Sequence, residues 1–362
     1  MNRRILVLVV VFLVLISLGG YVFFLTGVEP AEIEVSEEEI VLEEPEEIVE
    51  PEPEPEVRLE NENVLTGLPT LSDEAVGLRP VAVMISNVRA SMPQNGIGAA
   101  DLIFEIPVEG GATRLMAVYG DMTQIPMISP VRSARPYFAA MSVAVDALYA
   151  HWGNDPYIDH DIEYFLGENR FDGAVNTGGL FGRDQNRLNA GFTLEHTAYF
   201  DGTRFKGVAD NLDFRLDLRE DGREFGFLFN PFQEVATPSG GSASSIHVDF
   251  RGTTADFAFD EESRLYVKDF NGTPHIDGIT GEPLAFTNVL VLETDIWVNW
   301  IGHNAFDFNG AGFYFSDGAV QSITWEMTDR LRFFDEDGAE LRLNRGTSYI
   351  GITHVGTTTF ES

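Results

Sequence analysis

An α+β fold is predicted for this 362-residue chain, with an N-terminal α/β domain followed by a mostly antiparallel β domain. Two observations carry that reading. Between residues 63 and 221 short apolar runs alternate with helical segments, the pattern of an α/β layer. From 222 to 362 aromatic and β-branched residues sit between Asn-Gly and Asp-Gly turns, the pattern of antiparallel strands. A third observation concerns what precedes the fold. Residues 5–25 are one unbroken apolar run, long enough to span a bilayer as a helix.

Arg3 and Arg4 precede this run and glutamates follow it, so the positive-inside rule puts the N-terminus in the cytoplasm and the bulk of the chain outside. A cleaved signal peptide is the alternative, but its apolar region is usually shorter and ends at a small-residue site. Phe23-Phe24-Leu25-Thr26 is not such a site. The expected anchor is residues 1–27, a single-pass span at the cell membrane with the C-terminal bulk extracytoplasmic. There is no cysteine, so neither lipidation nor a disulfide is available.

Residues 28–62 read as a linker. The stretch 29–62 holds sixteen Glu and one Arg, and the repeat from Glu50 to Glu56 alternates Glu with Pro. Proline resists helix and like charges extend the chain, which gives a stalk. The net charge of the whole chain is −35, and only Lys206 and Lys268 are lysines. No nucleic-acid partner is expected, because phosphate backbones need a basic footprint.

In the 63–221 domain, Pro80–Asn87, Asp101–Glu105 and Leu115–Tyr119 are expected strands, with Glu109–Arg114 as the turn between the last two. Arg135–Ala147 is an expected helix with Pro136 in its first turn. Ala147–Gly153 follows as a strand, then a helix capped by Asp155 or Asp159 and running through Phe165, and a last helix over His196–Phe205. In the 222–362 domain, Phe225–Phe229, Ser245–Phe250 and Asp256–Phe259 are strands, and Asn271-Gly272, Asp317-Gly318 and Asp337-Gly338 are turns.

Several of these stretches resemble the YerB-like lipoproteins, a bacterial envelope family of unknown function. They are Leu65-Thr66-Gly67, Arg79–Met84, Ala100–Glu105, Val108–Gly111 with Thr113-Arg114, Pro130–Tyr137, Lys268–Leu284 around Gly272–His275, and Thr324–Leu343. The similarity spans residues 64–350 and implies two extracytoplasmic domains, with no established activity. Family members usually carry a lipidated Cys, which this chain replaces by its apolar run. The family's Pro-His-Asn-Leu-Tyr is here Glu195-His196-Thr197-Ala198-Tyr199.

The strongest candidate site is Arg132, Ser133 and Arg135 at the entry to the Arg135–Ala147 helix. A helix N-terminus offers free N–H donors, and guanidiniums grip carboxylate or phosphate through paired donors. The competing reading is that the arginines neutralise Asp101, Glu105 or Glu109 inside the domain. Arg114 and Glu109, flanking Gly110-Gly111, form a second feature. His151 and Asn154 follow a strand's C-terminal end, where open α/β sheets bind ligands. The expected ligand-binding group is therefore Arg114, Arg132, Ser133, Arg135, His151 and Asn154.

Two functions follow. One is a binding or scaffold protein of the envelope, whose partner is an anionic or glycan wall component or an envelope protein. The other is a hydrolase-like enzyme using His151 with Glu105 and Glu109 for acid–base chemistry. No metal site or cofactor is expected, because Asp159-His160-Asp161 point apart and Asp335–Gly338 does not continue as a calcium loop. Trp297, Trp300 and Trp325 are expected to lie mostly in the core.

Overall fold

The computed structural model describes residues 59–362 apart from 168–169, 220–225 and 329. The apolar run 5–25 and most of the linker lie outside these residues. Among the described residues no helix is long and apolar enough to cross a membrane.

Residue alternation along the strands builds the fold. The strands of the first half are β1 (Val81–Asn87), β2 (Leu102–Pro107) and β3 (Thr113–Tyr119), followed by helix α1 (Pro136–Ala144), β4 (Leu148–His151), helix α2 (Asp159–Leu166) and β5 (Arg170–Asp172). The second half supplies β6 (Ser245–Asp249), β7 (Thr254–Asp260), β8 (Leu265–Phe270), β9 (Asn288–Thr294), β10 (Ile296–Val298), β11 (Asn304–Phe306), β12 (Asn309–Ser316), β13 (Ala319–Met327), β14 (Leu331–Phe334), β15 (Ser348–His354) and β16 (Thr358–Glu361), besides several two- and three-residue strands.

Ten strands form one mixed sheet in the order β14-β13-β12-β9-β15-β2-β3-β1-β4-β5. Strand β15 lies between the halves and pairs in parallel with both, Leu102 to Ser348 on one side and Asn288 to Ser348 on the other. The alternation expected of an α/β layer is only partly present. β1, β2 and β3 pair antiparallel, and parallel pairing in this half is confined to β1–β4 and β4–β5. The Glu109–Gly111 turn is too short for a crossover helix, so β2 and β3 must run antiparallel. The described part of the molecule is thus mostly strand with few helices. The position near 222 that the sequence suggests as a boundary does not interrupt the sheet, whose strands come from both sides of it.

The sheet is buried on both faces. Val81, Val83 and Ile85 join one core, with Ile103, Leu115 and Tyr349. Ala82 and Met84 join the other, with Phe104, Met116 and Ile350. The first core is closed by the sheet containing β8-β7-β6-β16, which contributes Ile246, Val248, Phe257 and Tyr266. The second is closed by α1 and α2 through Phe138, Met141, Ile158 and Ile162.

The turns follow their sequences. Asn271 and Gly272 both have positive φ, 48° and 69°, as a two-residue hairpin of the primed type needs. Asp317 and Gly318 repeat this at 56° and 71° between β12 and β13. Asp335 accepts from the N–H groups of Asp337 and Ala339 at 3.0 and 2.9 Å, a turn closed by its own side chain. The helix expected over His196–Phe205 is instead the strand Ala198–Asp201 followed by a short helix at Phe205–Ala209. Ala198-Tyr199-Phe200 alternates buried and half-buried positions, a period of two that overrides helix propensity.

Candidate functional site

The site forms where β3, α1 and the Glu109–Gly111 turn meet. Pro136 occupies the first turn of α1 and Arg135 its N-cap, in extended conformation and without a side-chain cap. Arg135 grips Glu109 with paired donors: Nε donates to Oε1 at 2.9 Å and Nη2 to Oε2 at 2.6 Å. Its Nη1 donates to the carbonyl of Ala134 at 2.7 Å. Gly110 and Gly111, with φ of 77° and 75°, let the turn present Glu109 to it.

Arg114 comes from β3 and is buried. Its Nη1 donates to the carbonyl of Ser133 at 2.6 Å, and among the described residues it makes no ion pair. Burial, reinforced by the charges of Arg135 and Arg132, lowers its pKa to about 10. Arg132 is half-buried and meets Glu195 at 3.2 Å on the outer side. Arg114 and Arg135 therefore share one inner carboxylate, Glu109, while Arg132 lies near enough to Arg114 for their charges to interact. Burial pushes the Glu109 carboxyl up, but the hydrogen bond and charge of Arg135 outweigh it, and the net shift is downward.

Two residues that sequence reasoning did not select complete the surroundings. The phenol of Tyr149 is fully buried, close enough to Arg114 and Arg135 to feel their charges. His303 places Nε2 3.2 Å from Asp155 and 4.0 Å from Glu109. It sits at the end of the turn joining β10 to β11, and Phe306 of that hairpin packs on Tyr137 of α1 with ring centroids 5.4 Å apart. The same hairpin exposes Trp297 and Trp300, the latter 87 % accessible. Trp325 alone of the three tryptophans is in the core, at 2 %, so the expectation that they lie mostly inside is corrected. A two-stranded hairpin has an outer face with nothing to pack on.

The remaining candidates separate. Asn154 is half-buried and donates to the Asp155 carbonyl and to Asp159 Oδ1. Ser133 joins the site through its carbonyl. His151 is sealed: Nδ1 lies 3.0 Å from the Gly153 carbonyl and Nε2 has no partner among the described residues. Burial lowers its pKa, with Asp172 opposing. Glu105 belongs to a different, fully buried network. It accepts from Asn87 Nδ2 at 2.9 Å, Thr113 Oγ1 at 2.7 Å and Tyr349 OH at 2.9 Å, and pairs with Lys268 at 3.2 Å. The condition for acid–base chemistry, His151 and a carboxylate in one open cleft, is not met. Asp101 likewise engages the Gly120 N–H and not an arginine.

His275 extends the Glu105 network, with Nδ1 3.3 Å from Lys268 Nζ and Nε2 2.9 Å from Gln94 Oε1. Burial and then Lys268 hold its pKa well below the ordinary value. His275 and His151 both bind protons less readily in the fold than unfolded imidazoles, which take them up below about pH 6.5. The unfolded state binds more protons there, so stability is full above that pH and declines as pH falls below it. The urea midpoint is expected to be lower at about pH 5.5 than at about pH 7.5.

Comparison with known proteins places this architecture. Residues 65–215 match the family described as "Protein of unknown function (DUF3048) N-terminal domain", and residues 246–350 match its C-terminal domain. A curated relative, "Putative lipoprotein YerB" of Bacillus subtilis, is 27 % identical over 300 residues, covering 80 % of this chain and 85 % of the relative. The chain belongs to the YerB-like family. The crystal structure of YerB from Bacillus subtilis has the same fold, with a TM-score of 0.71 at 24 % identity, covering 85 % of this chain and all of that one. The matched YerB-like segments contain Arg114, Arg132, Arg135 and Glu109 in the N-terminal part and Lys268, His275 and the Trp297–Trp300 hairpin in the C-terminal part.

Proposed function

We propose that residues 59–362 form an extracytoplasmic binding module of the bacterial cell envelope, held at the membrane through residues 5–25, that takes an anionic group of a wall polymer at Arg114, Arg132 and Arg135. One observation carries this reading: the guanidiniums of Arg114 and Arg135 meet at one inner carboxylate at a helix N-terminus, with Arg132 near enough to Arg114 for their charges to interact, in a chain of net charge −35. An acidic protein has no need of excess cations there for solubility, and phosphate or carboxylate is the complementary charge. The lipoprotein description of the YerB relative supports a membrane-attached position outside the cytoplasm. Trp297 and Trp300 are exposed on the hairpin whose His303 lies 4.0 Å from Glu109, and such rings are surfaces on which sugars stack.

The test is sedimentation of the protein with purified cell-wall fragments, with inorganic phosphate as competitor. Arg132→Ala, at a half-buried position, is expected to weaken binding about tenfold, the effect of losing one charge-assisted contact. The Arg132→Ala/Arg135→Ala double variant is expected to abolish it. Unchanged wall binding by a folded double variant would overturn the proposal, and capture of an envelope protein in place of the polymer would redirect it.

A further inference from the structure

We propose that Lys268 and Asn87 become joined by an intramolecular amide bond, formed autocatalytically with Glu105 as the proton relay, that ties the ten-stranded sheet to the sheet packed on it. The proposal is independent of the arginine site.

The placement is unusual. Of the two lysines in the chain, Lys206 is in an exposed ion pair and Lys268 is 1 % accessible, in the core. Asn87, Thr113, Glu105 and Tyr349 project from adjacent strands β1, β3, β2 and β15 onto one face of the large sheet. Lys268 projects from β8 of the opposing sheet into the middle of them. Rings of Phe257, Phe270 and Tyr349 surround its Nζ at 5.8, 6.0 and 5.6 Å and exclude water. A buried ion pair is poor stabilisation in itself, since desolvation offsets its Coulomb gain.

The groups present are those an amine needs to attack an amide. Glu105 bridges the two nitrogens: Oε2 is 3.2 Å from Lys268 Nζ and Oε1 is 2.9 Å from Asn87 Nδ2. One carboxyl thus faces both the nucleophile and the leaving group, as a general acid–base must. The Asn87 carbonyl oxygen accepts from Gln94 Nε2 at 3.2 Å, a donor already aimed where negative charge develops. His275 orients that amide through its oxygen and accepts from Lys268 at Nδ1.

The step balances without a co-reactant. The Lys268 ammonium gives one proton to Glu105, and the free amine attacks Asn87 Cγ, forming the Nζ–Cγ bond and an oxyanion held by Gln94. A second proton leaves Nζ through Glu105. One of the two reaches Nδ2, the Cγ–Nδ2 bond breaks and ammonia departs, while the other stays on the carboxyl or leaves with ammonia as ammonium. Primary amide and amine become secondary amide and ammonia. In an exported chain without cysteine, such a bond fills the role that disulfides have elsewhere.

The experiment is the intact mass of the denatured full-length chain, followed by tryptic mapping. The expected mass is lower than that of the sequence by one ammonia, trypsin does not cut after Lys268, and the peptides containing residues 87 and 268 are recovered as one branched species. Glu105→Gln and Lys268→Arg are expected to restore the full sequence mass. A wild-type chain at full mass that yields the two peptides separately would overturn the proposal, whether or not either variant folds. Loss of ammonia without the branched peptide would overturn it too, since an Asn-Gly site can lose ammonia alone.

Discussion

Replacing Asp146 by Ala is expected to lower folding stability by about 3–5 kcal/mol, the usual consequence of removing one partner from a buried ion pair. Asp146 is fully buried at the end of α1 and gathers three arginines. Arg79 Nε lies 3.4 Å from its carboxylate, Arg219 Nε 3.4 Å, and Arg215 bonds both of its oxygens, one at 3.0 Å. The Arg219 N–H adds a bond at 3.1 Å. This cluster pins the end of the first half of the chain, where Arg79 N–H donates to the Leu216 carbonyl and Leu218 N–H to that of Gly77. Burial lowers the Arg79 pKa to about 10, with the Asp146 charge opposing, so loss of the carboxylate leaves a buried cation uncompensated. Asp146 also has φ of 48°, which a short polar side chain tolerates better than Ala. Asp146→Asn keeps that backbone preference and part of the hydrogen bonding, and is expected to lose less. Urea denaturation of both variants measures the difference; a loss below about 1 kcal/mol for Asp146→Ala would place the cluster with exposed pairs of little consequence.

Local structure was legible in the sequence because local physics decides it. Val81–Asn87, Thr113–Tyr119 and the two helices follow from apolar patterning and Pro136, and the Asn271-Gly272 and Asp317-Gly318 turns follow from backbone sterics. What was not legible is long-range. Nothing in Ser348–His354 says that it pairs with both Leu102–Glu105 and Asn288–Thr294, because a strand buried on both faces fits any interior position. The cationic group at 132–135 could be read, and so could its possible neutralisation by Glu109. The buried Tyr149 phenol and the approach of His303 could not, since both depend on how distant elements meet. Lys268 did carry a signal: a lysine among Tyr266, Val267 and Phe270, in a chain whose other cationic side chains except Lys206 are all Arg, marks a core position.

Glu109→Gln is expected to raise affinity for inorganic phosphate by about tenfold or more while lowering stability in its absence. The two effects have one cause. In the folded protein Glu109 occupies the Nε–Nη2 edge of Arg135 and is the inner counter-charge of the cluster. An incoming anion must compete with it and is repelled by it, and at about 4 Å that repulsion is on the order of 4 kcal/mol at a surface-like effective dielectric. Removing the charge frees Arg135 and strengthens the field of Arg114 and Arg132 on the ligand. It also deprives Arg135 of a charge-assisted pair, which costs about 1.5–3 kcal/mol. Phosphate that binds the folded state should restore part of that loss, rising logarithmically with its concentration. Calorimetric titration and thermal unfolding with and without phosphate read both effects on the same variant. A Glu109→Gln protein that is destabilised, binds phosphate no better than wild type and is not stabilised by it would make the Arg135–Glu109 pair a structural contact alone. The opposite pattern would identify Glu109 as an internal anion mimic, held on a turn whose Gly110 and Gly111 leave it free to give way to the ligand.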